Sequence, residues 1–352
     1  MMRTLSILYV AYSLLAISDE SAGGAEQILL AVEREMIARG HRTTVAAADG
    51  SRVSGDLLAT GAPASAPDQY ERRELEHNVR ILDYLRQHPR EFDLIHDMSG
   101  SFFGHAVECP LPVLATLHLP CSFYPHDSFR SAPPNLFFNC VSHSQVQSFG
   151  ELPSLVGVVQ NGIEVERFPF SHEKRNYLLW MGRICEEKAP HLATAAAQRA
   201  ALPLVIAGQV YPFSYHQAYF DRELRPHLNA RVRFVDTPLA AQKLDLLRHA
   251  RALLVTSTVE ETSSLVAIEA MACGTPVVAF RRGAIPEVVA DEETGFLVNT
   301  LDEMIATLDH LDRISPEACR ERVETQFSAS RMGCQYEELY RRGLRSAKEL
   351  AA

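Results

Sequence analysis

The chain has 352 residues, of which 47% are hydrophobic, and a formal net charge of −10 at pH 7. One hydrophobic core rarely extends over that length, so two domains are expected. The negative charge argues against a nucleic-acid-binding protein, and no apolar run approaches the roughly 20 residues of a membrane-spanning helix. Only weak peripheral contact with a membrane is left open.

Residues 1–17 allow two interpretations. Arg3, an apolar run and small residues resemble a secretory signal. Residues 5–10 also fit a buried first strand. Cleavage of a signal peptide would disrupt the unit that this strand forms with the following loop and helix, so a cytoplasmic protein is favoured. Seven cysteines without paired CxxC spacing indicate reduced thiols that lie in the core or on the surface and do not bind metal.

Strand and helix patterns alternate along the chain, which is typical of an α/β protein with parallel sheets covered by helices on both faces. The pattern also predicts two long loops, at 49–68 and 119–135. In the first half, strands are predicted near 5–10, 43–48, 93–96, 113–117, 137–141 and 156–159, and helices near 25–39, 75–88 and 143–149.

Residues 160–168 (QNGIEVERF) end the first half, and a linker is predicted near 166–175. Asp221, Arg222 and Glu223 are interpreted as a solvated helix start, and the chain after Ser315 as largely helical. In the second half, strands are predicted near 177–182, 203–207, 232–235, 251–256, 276–280 and 296–298, and helices near 189–200, 240–249, 264–272 and 301–311.

The most informative segment is 261–279 (ETSSLVAIEAMACGTPVVA). Glu269 lies among apolar residues of a predicted helix, where a carboxylate is costly unless it is hydrogen-bonded. Glu261 precedes that helix, and Ser263 or Ser264 is available as its N-cap. The N–H groups at a helix start favour a phosphate, and a carboxylate on either side suits hydroxyl groups. This layout fits a nucleotide sugar.

The same segment resembles the Glu-x7-Glu motif of the retaining glycosyltransferases of the GT-B fold, family 4 (glycosyl transferases group 1). The match is nearly complete from Leu265 to Ala279. It departs at residues 262–264, where Thr-Ser-Ser replaces the usual Pro-Phe-Gly. Because that loop faces the donor sugar in the family, the departure leaves the choice of donor open.

The resemblance implies a role for each residue of the motif. Glu269 would accept hydrogen bonds from the ribose hydroxyls of the nucleotide. Glu261, with the backbone N–H groups of Ser263 and Ser264, would hold the hydroxyls of the donor sugar. Leu265, the first residue of the near-complete match, would also belong to the donor site.

Arg183 and Lys188 flank a turn between a predicted strand and a predicted helix (GRICEEK, 182–188). Two cations at a strand end can hold a pyrophosphate without metal. Taken alone, the pair fits a solvated turn with a surface ion pair equally well. The family has a G-R-x4-K element of the same spacing that holds the donor diphosphate, and the resemblance implies this role here. Ala189 stands where the family usually has glycine.

Gly23 and Gly24 follow the first predicted strand, and a glycine pair permits close approach of a ligand to the backbone. They resemble the family's N-terminal Gly-Gly loop, which faces the donor phosphate and the acceptor. His118 ends the strand 113–117 and matches a histidine that contacts the donor sugar in the family. His96 ends another strand, and for it a structural role is favoured.

The resemblance implies two Rossmann-like, doubly wound domains that face each other across a cleft. Residues 1–168 would bind the acceptor and residues 169–330 the nucleotide sugar. Residues 331–352 would form a helix that packs back on the first domain.

The implied activity is transfer of a sugar from a UDP- or GDP-sugar to a hydroxyl, with retention and with contributions from His118, Arg183, Lys188 and Glu261. No Asp-x-Asp follows a predicted strand, so we expect no cofactor and no essential metal. The acceptor could be a sugar, a glycolipid or a small metabolite, and the oligomeric state is not indicated. Two alternatives stay open: a sugar-nucleotide epimerase of the same fold, and a non-catalytic subunit that binds sugar nucleotides.

Overall fold

The structure, a computed structural model, describes residues 3–21, 23–125, 128–129 and 132–350, without the side chains of 346–350. Four positions of the predicted loop 119–135 and the last two residues of the predicted helix 331–352 lie outside the described residues. The chain divides into two compact units. Unit one contains the residues up to Gly162 and those from Ala329 onward, and unit two is Ile163–Ser328.

Unit one is built on a parallel sheet of seven described strands, in the order β3-β2-β1-β4-β5-β6-β7. All five residues of β1 (SILYV) are buried, as expected for a strand at the centre of a sheet with helices on both faces. The elements before Gly162 are β1 Ser6–Val10, α1 Gly24–Ala38, β2 Arg42–Ala47, β3 Asp56–Ala59, α2 Tyr70–Gln87, β4 Leu94–Asp97, β5 Val113–Leu117, β6 Leu136–Cys140, α3 His143–Phe149 and β7 Leu155–Val158.

Unit two contains a parallel sheet of six described strands, in the order β10-β9-β8-β11-β12-β13. Its core lies between the sheet and the surrounding helices and includes Leu179, Leu253, Met271 and Val277. The elements are β8 Leu178–Met181, α4 Pro190–Arg199, β9 Leu204–Gly208, α5 Ser214–Tyr219, β10 Val232–Asp236, α6 Ala240–His249, β11 Ala252–Val255, α7 Leu265–Ala272, β12 Val277–Phe280, α8 Ile285–Val288, β13 Gly295–Val298, α9 Leu301–Thr307 and α10 Pro316–Gln326.

Each sheet has one point where the strand order reverses. In unit one the chain moves outward from β1 to β3 and then returns to place β4 on the other side of β1. In unit two it moves from β8 to β10 and returns to place β11 beside β8. Loops at the carboxyl ends of the strands diverge at such switch points and leave a crevice, where α/β proteins bind ligands.

The last helix, α11 (Ala329–Leu350), completes unit one. It packs against α1 so closely that a Cβ on Gly333 would lie 2.6 Å from the Glu35 side chain. Tyr336 and Tyr340 of this helix are buried. Tyr340 Oη lies 2.7 Å from Nδ1 of His96, and Oγ1 of Thr116 lies 2.7 Å from the other ring nitrogen of the histidine. His96 is therefore part of a buried structural network.

Three sequence predictions of local structure are wrong. The predicted loop 49–68 contains the edge strand β3, and the helix predicted at 75–88 begins at Tyr70. Asp221, Arg222 and Glu223 lie within a π-helical turn, Phe220–Leu224, that continues α5, so they do not start a helix. All seven cysteines are unpaired, as expected. In the described residues, none of the helices combines the length and the apolar character needed to cross a bilayer.

Candidate active site

The basic turn after β8 is held by the end of the neighbouring strand β11. Oγ1 of Thr256 donates to the carbonyl oxygens of Lys188 and Ala189, at 3.1 and 2.8 Å. The backbone N–H of Thr258 donates to the carbonyl oxygen of Glu187 at 2.9 Å. Since β8 and β11 flank the switch point, these bonds fix the turn at the place where a ligand is expected.

Ala189 adopts the left-handed conformation, with φ +49° and ψ +50°, immediately before Pro190 starts α4. This conformation favours glycine, the residue that the family usually has there. The turn therefore keeps its shape with alanine, at a backbone strain of about 1 kcal/mol.

Lys188 and Glu261 lie in direct contact. Nζ of Lys188 is 2.5 Å from Oε1 of Glu261, and the side chains are 30% and 11% exposed. The contact joins the turn after β8 to the loop after β11, so the structure brings together two predicted site residues that are 73 positions apart. Arg183 pairs with a different carboxylate. Its Nη2 lies 3.0 Å from Oε1 of Glu187, and its side chain is 45% exposed.

Gly283 packs against the backbone of the loop that carries Glu261. Its φ is +51°, and a Cβ at this position would lie 2.4 Å from the carbonyl oxygen of Glu261. The same carbonyl accepts a hydrogen bond of 2.8 Å from the backbone N–H of Ala284. The loop after β12 thus supports the Glu261 loop, and only glycine permits this approach.

The start of α7 differs from the sequence prediction. Ser264 occupies the N-cap position and is 5% exposed, but its side chain forms no capping hydrogen bond. The predicted capping by Ser263 or Ser264 is therefore absent from the described contacts of this helix. Leu265 is the first helical residue. The N–H groups of the first turn keep their partial positive charge without a side-chain cap.

Glu269 lies inside α7 and is 3% exposed. Its Oε1 accepts a hydrogen bond of 2.5 Å from Nζ of Lys243, which lies on α6 and is 26% exposed. Sequence analysis missed Lys243. The two residues are 26 positions apart and lie in different helices. The sequence pattern of α6 does not distinguish Lys243 from an ordinary surface lysine.

Gly23 and Gly24 lie in unit one, at the start of α1 and beside the switch point of that sheet. The carboxylate of Glu26 folds back over the loop, and a Cβ on Gly23 would lie 2.0 Å from its Oε2. Burial raises the pKa of Glu26. A carboxylate thus covers the glycine pair, and sequence analysis had not assigned it a role.

His118 follows β5 directly, as predicted from the end of that strand. Burial lowers the pKa of its imidazole to about 4, so the ring is neutral near pH 7. A neutral imidazole offers one donor and one acceptor, which suits a hydroxyl partner. The contact of His118 with a sugar stays a prediction.

The whole chain has the architecture of solved glycosyltransferases. AviGT4, a glycosyltransferase involved in avilamycin A biosynthesis, is 23% identical, with a TM-score of 0.73 over 97% of this chain and 98% of that chain. HepE from Anabaena, solved with UDP-glucose, is 15% identical, with a TM-score of 0.70 over 95% of this chain and 99% of that chain. This similarity confirms the predicted fold: the protein is an α/β protein of the GT-B fold.

Residues 175–313 match the family of glycosyl transferases group 1. The D-inositol 3-phosphate glycosyltransferase of Saccharomonospora viridis is 32% identical over 205 residues, which are 52% of this chain and 46% of that protein. The match thus spans about half the length of this relative. The family match lies within unit two, and the resemblance of the motifs to glycosyl transferases group 1 is confirmed.

Proposed function

We propose that this protein transfers a sugar from a UDP- or GDP-sugar to a hydroxyl acceptor, with retention of the anomeric configuration and without a divalent metal ion at the diphosphate. The observation that carries this proposal is the contact between Lys188 and Glu261 at the switch point of the second sheet. It brings together a cation that suits a phosphate and a carboxylate that suits a hydroxyl group. A sugar phosphate needs both.

Positive charge at the diphosphate would come from the protein itself. Arg183 offers planar donors, Lys188 a compact charge, and α7 an uncapped N-terminus. Each cation is paired with a carboxylate in the structure: Arg183 with Glu187, and Lys188 with Glu261. An arriving diphosphate would therefore replace these carboxylate partners.

Two carboxylates would hold hydroxyl groups on either side of the phosphates. Glu269 is held by Lys243 and is 3% exposed, and it would accept hydrogen bonds from the ribose hydroxyls. Glu261, with the N–H groups of Ser263 and Ser264, would contact the sugar. Because Thr-Ser-Ser forms this loop, serine and threonine hydroxyls are added to the surface that selects the sugar.

In the transfer step, the bond from the sugar C1 to the phosphate oxygen breaks while a bond from C1 to the acceptor oxygen forms on the same face. The acceptor's proton passes to the leaving phosphate oxygen. Negative charge grows on that phosphate as the bond breaks, so Arg183, Lys188 and the helix start stabilise the transition state more than the ground state.

In unit one, His118 is proposed to contact the donor sugar as a neutral hydrogen-bonding group, which its low pKa supports. Gly23 and Gly24 are proposed to let the acceptor approach the backbone. The carboxylate of Glu26 above them would repel a phosphate and attract an acceptor hydroxyl, so we assign this loop to the acceptor.

The test is a screen of the purified chain against UDP- and GDP-linked hexoses and N-acetylhexosamines. Thermal shift identifies the donor, because a ligand that binds only the folded state raises the melting temperature. Turnover of that donor is then measured with sugar, glycolipid and small-metabolite acceptors, including inositol phosphate, since a relative is named for it. The anomeric configuration of the product is read by NMR.

Acceptor-dependent release of nucleoside diphosphate, with a product of unchanged anomeric configuration, supports the proposal. An isomerised sugar nucleotide would identify an epimerase, and tight binding without turnover a binding subunit; either result rejects transfer. Addition of Mg²⁺ or Mn²⁺ should leave the rate unchanged, and a strict requirement for either ion would overturn metal independence.

A further inference from the structure

A second cluster of chemically reactive side chains lies beside the basic turn of unit two. Cys185 and Glu187 lie between β8 and α4, and His216 lies on α5. The cysteine sulfur, a carboxylate oxygen of Glu187 and a ring nitrogen of His216 all lie within 4.8 Å of one another. The spacing of the cysteines in the sequence suggested that none of them binds metal. That spacing could not reveal this cluster, since His216 is brought close to Cys185 only by the fold.

His216 is the informative member of this cluster. It is 1% exposed, and neither ring nitrogen has a hydrogen-bond partner among the described residues. Rings of Tyr211, Phe213 and Tyr215 pack around it, with centroids 4.3 to 6.1 Å away. A buried polar group without a partner costs about 1–3 kcal/mol. The geometry therefore calls for a ligand at the imidazole.

The other two members fit a cation at that place. Cys185 is fully buried, its Sγ lies 3.5 Å from the carbonyl oxygen of Arg183, and its thiol also contacts the carboxylate of Glu187. Glu187 uses one carboxylate oxygen for Arg183 at 3.0 Å. One sulfur, one imidazole nitrogen and one carboxylate oxygen form a ligand set that suits Zn²⁺ better than Mg²⁺ or Ca²⁺.

We propose that Cys185, Glu187 and His216 bind one divalent cation of the zinc type. Around a tetrahedral zinc such ligand atoms lie roughly 3.4 to 3.6 Å apart, so shifts of about 1 Å would close the site. A thiolate and a carboxylate balance the charge of the ion. Three protein ligands leave the fourth position to a water molecule.

On binding, the S–H bond of Cys185 breaks, its proton passes to solvent, and a bond from sulfur to the metal forms; no electrons are transferred. A cysteine binds a metal ion as the thiolate, so metal binding releases the proton of the thiol. Two of the ligands, Cys185 and Glu187, lie within the turn between Arg183 and Lys188. The ion would therefore connect α5 to that turn and fix its position.

The proposal is independent of the proposed sugar transfer, since metal binding is measured without substrate. The full chain is stripped of metal with a chelator in a non-thiol reductant and titrated with Zn²⁺, and separately with Co²⁺. We expect one ion per chain, a thiolate-to-cobalt charge-transfer band, and a higher melting temperature with Zn²⁺. Calorimetry in two buffers of different ionisation enthalpy should show release of about one proton.

Variants locate the site. Cys185→Ser should remove the charge-transfer band, and Cys185→Ser or His216→Gln should each weaken Zn²⁺ binding by at least about tenfold. Cys334→Ser, which changes an exposed thiol, is the matched control and should bind like the unchanged chain. Equal affinity in all of these variants would overturn the proposal. If the site variants do not fold, the unchanged chain still decides: a one-to-one cobalt complex without a thiolate band, or no complex, contradicts the proposal.

Discussion

Lys243 on α6 donates a hydrogen bond of 2.5 Å to Glu269, the most deeply buried carboxylate of the candidate donor site. The lysine compensates the cost of burying that charge within an apolar helix. It also fixes one oxygen of the carboxylate in place before any nucleotide binds. Two predictions follow from this pair, one on binding and one on stability.

Glu269→Gln should weaken the binding of UDP or GDP by about tenfold or more, because a neutral amide loses the charge-assisted hydrogen bonds to the ribose. Calorimetric titration with both nucleotides measures the change. Glu321→Gln, on the exposed surface of α10, is the control. An unchanged affinity in Glu269→Gln would exclude the ribose role.

Lys243→Met should lower the free energy of unfolding of unit two by about 2 kcal/mol, because it leaves the Glu269 carboxylate buried without its partner. Trp180 is the only tryptophan and lies in unit two, so its fluorescence during urea denaturation reports this unit. The double variant Lys243→Met with Glu269→Gln should recover part of the loss. Additive losses would show that the two residues are not coupled.

Lys188→Ala should lower turnover by at least ~10²-fold, the scale for removal of a group that stabilises developing charge. The loss should appear mainly in kcat, since Arg183 and the start of α7 remain to bind the diphosphate. Arg199→Ala removes an exposed cation of α4 and serves as the control. Near-normal turnover of Lys188→Ala would remove this lysine from the mechanism.

Gly283→Ala should destabilise unit two by about 3 kcal/mol and reduce donor binding, because it adds a steric clash with the Glu261 backbone to the strain of a positive φ. Gly40→Ala isolates the strain: Gly40 has φ +83°, but a Cβ there would meet nothing within 4 Å. It should cost only about 1 kcal/mol. Circular dichroism follows Gly40→Ala, and Trp180 fluorescence follows Gly283→Ala. Similar losses would mean that the approach to Glu261 is unimportant.

Unit one should lose stability between pH 6.5 and pH 4. Burial lowers the pKa values of His77 and His118 from 6.5 to about 4, so the unfolded chain binds more protons in this window. The contribution of the two histidines to the free energy of unfolding is fully present above pH 6.5. It is lost as the pH falls to 4, and the loss is at most about 3 kcal/mol for each ring. His118→Gln should reduce the pH dependence of urea denaturation seen by circular dichroism, whereas His310→Gln, at an exposed site of unit two, should not.

The sequence was informative where local pattern and burial agree. The apolar run at 5–10 predicted β1, whose five residues are all buried, and the helix predicted near 25–39 is α1. The edge strand β3 was missed because its side chains are mostly exposed and carry no hydrophobic alternation. Parallel hydrogen bonding to β2 makes this segment a strand, and the sequence of β3 alone does not indicate it.

The sequence names candidate site residues but does not reveal which of them contact each other. Glu261, Glu269, Arg183 and Lys188 follow from motif spacing and from the resemblance to the family. Their partners depend on how α6, α7 and the strand-end loops pack, which spacing along the chain does not encode. The capping prediction for α7 failed for a related reason: serine is a good cap on average, but the loop conformation decides whether its oxygen reaches the helix.

Unit one can complete its fold only after α11, which carries Tyr336 and Tyr340, has been synthesised. The hydroxyl of Tyr340 lies 3.1 Å from that of Tyr9, a residue of the first strand, so nearly the whole polypeptide separates the two halves of this contact. A ribosome releases Ile163–Ser328 before it releases this helix, and domains generally fold as units during synthesis. Unit two can therefore be complete while unit one still lacks its last helix. A truncated product that ends before Ala329 would expose the sheet that Tyr336 and Tyr340 normally cover.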